Sequence, residues 1–211
     1  MPTLELDLVS LNAELRHKTP QDIIAWALSL NKKTVMTTSF GFNSAVSLHM
    51  LSNISPSTPV VWVDSGYNVK DAYLVADQLT NNLGLNLKIY NPLISAERRN
   101  ALMGGIPTVD EAHFEEFTRQ VKLEPFSRAL KELQPDIWIT GIQKDETEFR
   151  QSLDILSMDS RGILKVAPIF YWTEKQVENY MTTHALPTCK HYFDPTKVHE
   201  HRECGLHTIA V

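Results

Sequence analysis

Residues 34–66 read TVMTTSFGFNSAVSLHMLSNISPSTPVVWVDSG and give the clearest evidence of the fold class. The stretch opens with a β-rich run at 34–38 and closes with a buried-type apolar run at 59–63. Between them, residues 43–54 space their apolar side chains as a helix does. Two short strands joined by a helix predict a β-α-β unit, in which the two strands are parallel.

The same alternation of short apolar runs and helical patterns continues on both sides of this unit. It predicts an α/β protein with a doubly wound, mainly parallel sheet, and Thr19 and Thr173 are expected to cap two of its helices. Residues 91–118 are an exception, because glycines and a proline at 104–107 interrupt the pattern, and we expect a loop and one short helix there. The further expected strands are 85–90, 136–141 and 163–168, and the further expected helices are 8–16, 20–30, 69–83, 122–133 and 173–184.

The composition narrows the class of protein and its partners. The chain has 211 residues, a formal net charge of −5 and two cysteines. This charge argues against general binding to nucleic acid or to an anionic membrane, and no apolar run approaches the roughly 20 residues of a transmembrane helix. Because the first residues also lack the pattern of a signal peptide, we expect a cytoplasmic enzyme or binding protein. We predict one α/β nucleotide-binding domain over 1–186 and a flexible C-terminal tail over 187–211.

Three turns directly follow expected strands, and parallel strands bring such turns to the sheet edge where ligands bind. The first turn, within residues 37–44, leads into a helix, and its hydroxyls, glycine and backbone N–H groups suit a phosphate or sulfate. It lacks the Gly-Lys-Ser/Thr of a Walker A loop, and an ordinary Ser-Gly turn would have the same local sequence. The candidate residues in this turn are Thr38, Ser39, Phe40 and Gly41.

The other two turns carry charged and aromatic candidates. Asp64 could accept hydrogen bonds from a ribose or an amine and Tyr67 could pack on a base, although a turn with an incidental acid fits equally well. Lys144 and Arg150 could hold phosphate or sulfate oxygens, although they also suit a solvated helix face with charge pairs. The candidate residues are Asp64, Ser65, Gly66 and Tyr67 in one turn, and Gly141, Lys144 and Arg150 in or after the other.

The C-terminal segment carries the candidate nucleophile, Cys204, between a cation and an imidazole. Nearby positive charge favours the reactive thiolate, so Arg202 and His207 are expected to support Cys204. Cys189 is a weaker candidate, although a redox-linked pair of the two cysteines is an alternative. Two cysteines are too few for a four-cysteine metal or iron–sulfur site, and the nearby histidines lack regular ligand spacing, so we expect no metal.

Taken together, these residues resemble the phosphoadenosine phosphosulfate reductases, the thioredoxin-dependent sulfonucleotide reductases, from about residue 23 to residue 207. The most specific match is the Glu-Cys-Gly-Leu-His motif at 203–207. Four further segments resemble motifs of the family in the same order, and five ordered segments are far more specific than one. Those four segments are 38–49, 64–67, 122–130 and 165–172.

The resemblance implies a fold of the adenine nucleotide alpha hydrolase (PP-loop) type and a reaction in two steps. It implies that the Cys204 thiolate attacks the sulfur of 3′-phosphoadenosine 5′-phosphosulfate, which leaves an S-sulfonate on Cys204 and releases adenosine 3′,5′-bisphosphate. Reduced thioredoxin, or glutaredoxin, would then release sulfite from that adduct. The resemblance further implies no bound cofactor and a homodimer.

The chain departs from the family pattern in two places. Gln143 and Glu146 stand where the family has arginine and glutamine, and both changes reduce positive charge where the family binds an anion. Residues 186–201 are also fewer than the family has between its last helix and the cysteine motif. Two alternatives therefore stay open: an adenylating enzyme of the PP-loop class, whose Ser-Gly-Gly-x-Asp-Ser form is absent here, and a regulatory nucleotide- or thioredoxin-binding relative without turnover.

Overall fold

The computed structural model describes residues 6–197, which form a six-stranded sheet between helices. Across the described sheet the order is β3-β2-β1-β4-β6-β5, and all neighbouring strands are parallel except β5 and β6. The chain therefore winds outward from β1 first to one side and then to the other, which confirms the predicted doubly wound α/β fold. The strands are β1 (Thr34–Thr38), β2 (Pro59–Val63), β3 (Asn86–Tyr90), β4 (Ile137–Ile139), β5 (Leu156–Met158) and β6 (Leu164–Val166).

The helices connect these strands, and both predicted caps are present. Thr19 and Thr173 each accept a hydrogen bond from the backbone N–H three residues later, in capping boxes completed by Asp22 and Gln176. A π-helical turn, Arg119–Leu123, leads into α7, and a 3₁₀ turn, Lys144–Glu146, precedes α8. The helices are α1 (Leu8–Leu15), α2 (Pro20–Ser29), α3 (Ser44–Ile54), α4 (Lys70–Leu83), α5 (Ala96–Met103), α6 (Phe114–Thr118), α7 (Glu124–Leu133), α8 (Glu148–Gln151) and α9 (Glu174–Thr183).

Both faces of the sheet are buried, because alternate residues of each central strand enter different hydrophobic clusters. In β1, Val35 belongs to the smaller cluster and Met36 to the larger one. The smaller cluster includes Phe126 of α7 and Trp138 of β4, whereas the larger one includes side chains of α2, α3 and α4. This period of two and burial on both faces explain the continuous apolar runs of the parallel strands.

The edge strand β5 was not predicted from the sequence. It is three residues long, and its central position is polar, so it has too few residues to show a strand pattern. The side chain of Asn12 in α1 holds it in place. Asn12 Nδ2 donates to the Leu156 carbonyl over 3.0 Å, and the Leu156 N–H donates to Asn12 Oδ1 over 2.8 Å.

Residues 91–118 contain two helices rather than the one that we expected. Helix α5 begins at the cap Ser95 and ends before Gly104, which adopts φ 80°. Its one fully buried residue is Arg99, so the helix shows no apolar period in the sequence. Helix α6 follows after the glycine break and buries Phe114 and Phe117.

The start of the predicted C-terminal tail packs against the domain. Residues 187–197, the last that the structure describes, contain no helix or strand, yet Cys189 is fully buried in the larger hydrophobic cluster. Farther along, the buried carboxylate of Asp194 forms an ion pair with Lys122 of the π-helical turn and accepts hydrogen bonds from Thr196. These contacts attach the chain to the domain up to residue 196.

Candidate active site

The candidate site lies where the sheet changes winding direction, between the carboxyl ends of β1 and β4. The side chain of Asn43, after β1, donates to Gln143 Oε1, after β4, over 3.0 Å. Gln143 Nε2 in turn donates to the carbonyl of Trp172, after β6, over 2.9 Å. Three loops therefore meet at the crevice in which doubly wound proteins bind their ligands.

The first predicted turn is held in an unusual backbone conformation. Phe40 adopts φ 50°, which is costly for a residue with a bulky side chain, and its ring is fully buried against Trp62 with centroids 5.0 Å apart. The Thr38 hydroxyl accepts from the Phe40 N–H over 3.1 Å, and the Ser39 hydroxyl accepts from the Gly41 N–H over 3.3 Å. These two hydroxyls shape the turn in the described structure.

Gly41 is closely surrounded, and it lies just before the start of α3. A Cβ atom on Gly41 would lie 3.2 Å from Ser39 Oγ and 3.3 Å from the Tyr192 ring, so these neighbours would have to shift by a few tenths of an ångström. Within the described residues, no side chain caps the N-terminus of α3, which begins after Asn43. The N–H groups of Ser44 and Val46 donate to the carbonyls of Gly41 and Asn43 over 3.2 and 3.3 Å, so this N-terminus suits an anion chiefly through its positive potential.

Asp64 organises the second turn through four hydrogen bonds to its carboxylate. Oδ1 accepts from the Gly66 N–H, from Asn68 and from the Tyr73 hydroxyl over 2.8–3.0 Å, and Oδ2 accepts from Asn91 over 3.1 Å. Burial, together with the hydrogen bond and negative charge of Asp64, raises the pKa of Tyr73 to about 12, so this hydroxyl stays a donor. Oδ2 retains acceptor capacity for a ligand.

The remaining residues of this turn are held by neighbouring elements. The buried Ser65 hydroxyl accepts from the Tyr67 N–H over 3.2 Å, and Gly66 adopts φ 80°, which disfavours any side chain. The Tyr67 hydroxyl donates to Asn100 over 2.8 Å, and the Arg99 guanidinium lies 5.9 Å from the Tyr67 ring. The half-buried Tyr67 ring is thus fixed beside α5.

Both cations among the candidates after β4, Lys144 and Arg150, contact other side chains of the protein. Gly141 lies close to α3, since a Cβ on it would lie 3.5 Å from Ser47 Oγ. Lys144 Nζ lies 5.4 Å from the centre of the Tyr171 ring. Arg150 forms an ion pair with Glu146, and the side chains are 6% and 43% exposed, respectively. The solvated helix face that we considered for this stretch is therefore wrong for Arg150, which is buried.

The C-terminal candidates Arg202, Cys204 and His207 lie outside the described residues. The other cysteine, Cys189, is buried and forms no disulfide within residues 6–197. Burial, together with the nearby negative charge of Asp71, raises the pKa of Cys189 and opposes formation of its thiolate. Cys189 therefore lacks the environment of a nucleophile.

Asn43 and Gln143 are site residues that sequence reasoning did not identify as partners. The sequence analysis noted Gln143 only as a position where the resembled family has arginine. A single hydrogen bond between residues 100 positions apart leaves no local sequence pattern.

Among residues 6–197, no three histidine, cysteine, aspartate or glutamate side chains are grouped so as to hold a metal ion. In the same range, no helix has the length and apolar content needed to cross a bilayer.

Solved structures with this fold include a phosphate complex of phosphoadenylyl-sulfate (PAPS) reductase from Candida auris. It matches with a TM-score of 0.78 and 27% identity, over 90% of this chain and 92% of the other. The FMN adenylyltransferase of Candida glabrata matches with a TM-score of 0.53 and 12% identity, over 75% of this chain and 49% of the other. The second likeness concerns the fold alone and agrees with the PP-loop type expected from the sequence.

Sequence comparisons lead to one family. The family model described as "Phosphoadenosine phosphosulfate reductase domain" matches residues 33–195. The phosphoadenosine 5′-phosphosulfate reductase of Synechocystis is 42% identical over 185 residues, which are 87% of this chain and 74% of the relative. The Synechococcus enzyme of the same name is 37% identical over 189 residues, which are 89% of this chain and 81% of the relative. This chain therefore belongs to the phosphoadenosine phosphosulfate reductase family.

Proposed function

We propose that this chain reduces 3′-phosphoadenosine 5′-phosphosulfate to sulfite and adenosine 3′,5′-bisphosphate. The observation that carries the proposal is the family match across residues 33–195, which includes all three loops at the winding switch of the sheet. Relatives at 42% and 37% identity bear the name of this reductase. The Glu-Cys-Gly-Leu-His motif at 203–207 lies beyond the matched range and supplies the nucleophile that the reaction needs.

The described loops are suited to bind different parts of the nucleotide. The N-terminus of α3, next to the turn at 38–41, suits the phosphosulfate group, because the positive potential of a helix N-terminus favours an anion. We also assign Lys144 and Arg150, after β4, to the anion, although Arg150 already forms an ion pair with Glu146. The turn at 64–67 suits the nucleoside, with Asp64 Oδ2 as a hydrogen-bond acceptor and Tyr67 as an aromatic surface.

The first chemical step is a displacement at sulfur by Cys204. The thiolate sulfur forms a bond to the sulfur of the sulfate group while the bond from that sulfur to the bridging oxygen breaks. The electron pair of the broken bond leaves with adenosine 3′,5′-bisphosphate, and an SO₃ group stays on Cys204. We assign Arg202 and His207 the task of favouring the thiolate, because nearby positive charge lowers the pKa of a cysteine.

The second step regenerates the enzyme with a dithiol reductant. A thioredoxin thiolate attacks the sulfur of Cys204, sulfite leaves with the electron pair of the cleaved S–S bond, and a mixed disulfide remains. The second thioredoxin thiol then resolves this disulfide and restores Cys204. Glutaredoxin could supply the same chemistry. The reaction suits the reducing cytoplasm, where thiols stay reduced. We also predict that the chain forms a homodimer.

The direct test is the intact mass of the reduced chain after mixing with phosphoadenosine phosphosulfate in the absence of thioredoxin. We expect a gain of one SO₃ that maps to the peptide containing Cys204 and disappears when reduced thioredoxin is added. Cys204→Ser should bind the nucleotide without forming the adduct. Cys189→Ala is the matched control, because the buried Cys189 thiol is assigned no chemical role, and it should form the adduct normally.

Other results would direct the search elsewhere. Sulfite release by Cys204→Ser would rule out the proposed nucleophile. Bound nucleotide without any SO₃ adduct, with several reductants tried, would favour a regulatory relative. Absence of both binding and adduct would turn attention to adenylyl sulfate and ATP, and ATP-dependent release of pyrophosphate would then indicate an adenylating enzyme.

A further inference from the structure

Tyr192 packs directly onto the turn that follows β1. A Cβ atom on Gly41 would lie 3.3 Å from the Tyr192 ring, and the rings of Tyr192 and Phe42 have centroids 6.2 Å apart. Tyr192 is half-buried and packs against the larger hydrophobic cluster, whereas Phe42 is 51% exposed. The Tyr192 ring therefore supports the backbone of a turn that is open to solvent at the next residue.

The segment that carries Tyr192 is attached to the domain on both sides of that residue. Before it, the Thr188 hydroxyl donates to the Phe42 carbonyl over 3.2 Å. After it, Asp194 forms its buried ion pair with Lys122. Because contacts on both sides fix the backbone, the Tyr192 ring is held in position against the turn.

The turn depends on support from its neighbours, because Phe40 adopts φ 50°. A residue with a bulky side chain keeps such a conformation only where the surrounding structure holds it. Trp62 packs against the Phe40 ring with centroids 5.0 Å apart, and Tyr192 packs against the next residue, Gly41. Loss of the Tyr192 ring would remove one of the contacts that hold the turn in this conformation.

We infer that Tyr192 is a positioning residue for the 5′ side of the nucleotide and acts through the turn at 38–41. This inference rests on the proposed function, which assigns the phosphosulfate group to this turn and the N-terminus of α3. It also gives a role to residues 186–201, which are fewer than the resembled family has there. In this chain the shorter segment places an aromatic ring against the turn.

The test is calorimetric titration with adenosine 3′,5′-bisphosphate and with adenosine 3′-monophosphate, which lacks the 5′ group. We expect Tyr192→Ala to raise Kd for the bisphosphate about tenfold, an effect the size of about one hydrogen bond to the phosphate. Kd for the monophosphate should change by less than about twofold, because that nucleotide has no group for the turn at 38–41. General destabilisation of the site would weaken the binding of both nucleotides.

Two further variants separate the contact of the ring from other effects on the segment. Tyr192→Phe should bind both nucleotides as the unmodified chain does, because ring atoms make the contacts with Gly41 and Phe42. Phe193→Ala is the matched control, since Phe193 is the next aromatic residue and is 42% exposed. It should change Kd for either nucleotide by less than about twofold.

A double variant tests the contact between Tyr192 and Gly41 itself. Gly41→Ala should also weaken binding of the bisphosphate, since its Cβ atom would press on the Tyr192 ring. Combined with Tyr192→Ala, it should cost less than the sum of the two single losses, because both changes act on one contact. Additive losses would show that the two residues act independently and would overturn the inference.

Unchanged affinity of Tyr192→Ala for the bisphosphate would also overturn the inference, as would an equal loss for both nucleotides or a loss of the same size in Phe193→Ala. These results are distinct from a failure of the proposed function. If the unmodified chain forms the SO₃ adduct while Tyr192→Ala binds the bisphosphate equally well, only the inference fails. If Tyr192→Ala loses affinity for the bisphosphate alone and no adduct forms in any chain, the inference stands and the reductase activity fails.

Discussion

The side chain of Asn43 donates a hydrogen bond of 3.0 Å to Gln143 across the point where the sheet reverses its winding. Asn43 directly precedes α3, and Gln143 also donates to the Trp172 carbonyl. A single buried side chain thus fixes the relative positions of three loops before any ligand arrives. The two bonds therefore hold the loops after β1, β4 and β6 at a defined spacing.

Removing this link should weaken nucleotide binding. Gln143→Ala loses two hydrogen bonds and leaves the Trp172 carbonyl without its side-chain donor, which should cost about 2 kcal/mol of unfolding free energy. We expect a higher KM for the nucleotide, because the loops would no longer be held at one spacing. Urea unfolding and steady-state kinetics measure the two effects. Gln151→Ala, at an exposed position, is the control and should change neither.

Gly66 and Gly84 offer a matched pair for testing the turn at 64–67. Both adopt positive φ, 80° and 60°, so alanine at either position should destabilise the fold by about 1–2 kcal/mol. Nucleotide binding should fall only in Gly66→Ala, because Gly84 precedes the amino end of β3, whereas the candidate turns follow the carboxyl ends of the strands. Thermal unfolding and calorimetric titration of the two variants separate stability from binding. Equal loss of binding in both would argue against a nucleotide site at 64–67.

The ion pair between Lys122 and Asp194 should stabilise the C-terminal segment. Burial alone would raise the pKa of Asp194, but the charge of Lys122 and the hydrogen bonds from Lys122 and Thr196 outweigh it and hold that pKa below its usual value. Asp194→Asn removes the carboxylate from this buried ion pair and should cost about 3–5 kcal/mol. The double variant Lys122→Met, Asp194→Leu should lose less, and denaturant unfolding tests the order.

The sign of the pH dependence follows from the lowered pKa of Asp194. The stabilisation is fully present above the unfolded-state pKa of about 3.9 and is lost as the pH falls through the native pKa. Unfolding free energy should therefore decline below about pH 4 in the unmodified chain and decline less in Asp194→Asn. Parallel slopes for the two proteins would contradict the role of this carboxylate.

His49 should titrate below the ordinary histidine range. Its Nδ1 lies 2.9 Å from the Tyr180 hydroxyl, its Nε2 lies 3.2 Å from Asn53 Nδ2, and its ring centroid lies 4.6 Å from that of His184. Burial, and secondarily the charge of His184, lowers the pKa of His49. NMR titration of the imidazole protons should give a pKa below about 6.5, and His184→Gln should raise it partway.

The lowered pKa of His49 predicts a loss of stability on acidification. The unfolded chain takes up its proton at higher pH than the folded chain does, so unfolding free energy should fall as the pH drops below about 6.5. His49→Gln should remove part of this slope. An unchanged slope would place the acid sensitivity on other groups.

The sequence predicts a strand correctly where a run of β-branched or apolar residues is long enough to be recognised. The β-branched run at 34–38 and the apolar run at 59–63 became β1 and β2 with the predicted bounds. Thr19 and Thr173 were recognisable as caps because capping is an interaction over three residues. One helix was expected in 91–118 where the structure has two, and strand β5 was not expected; α5 buries a charged residue, Arg99, and β5 has only three residues.

Short-range patterns therefore determined the fold class, the helix caps and the turns that follow the strands, since each depends on residues within a few positions of one another. Tertiary structure decided the order of the strands and brought Asn43 to Gln143 and Lys122 to Asp194. It also buried Arg150 and left its partner Glu146 exposed. Long-range pairs and burial depend on how the whole chain packs, and no local spacing of side chains encodes them.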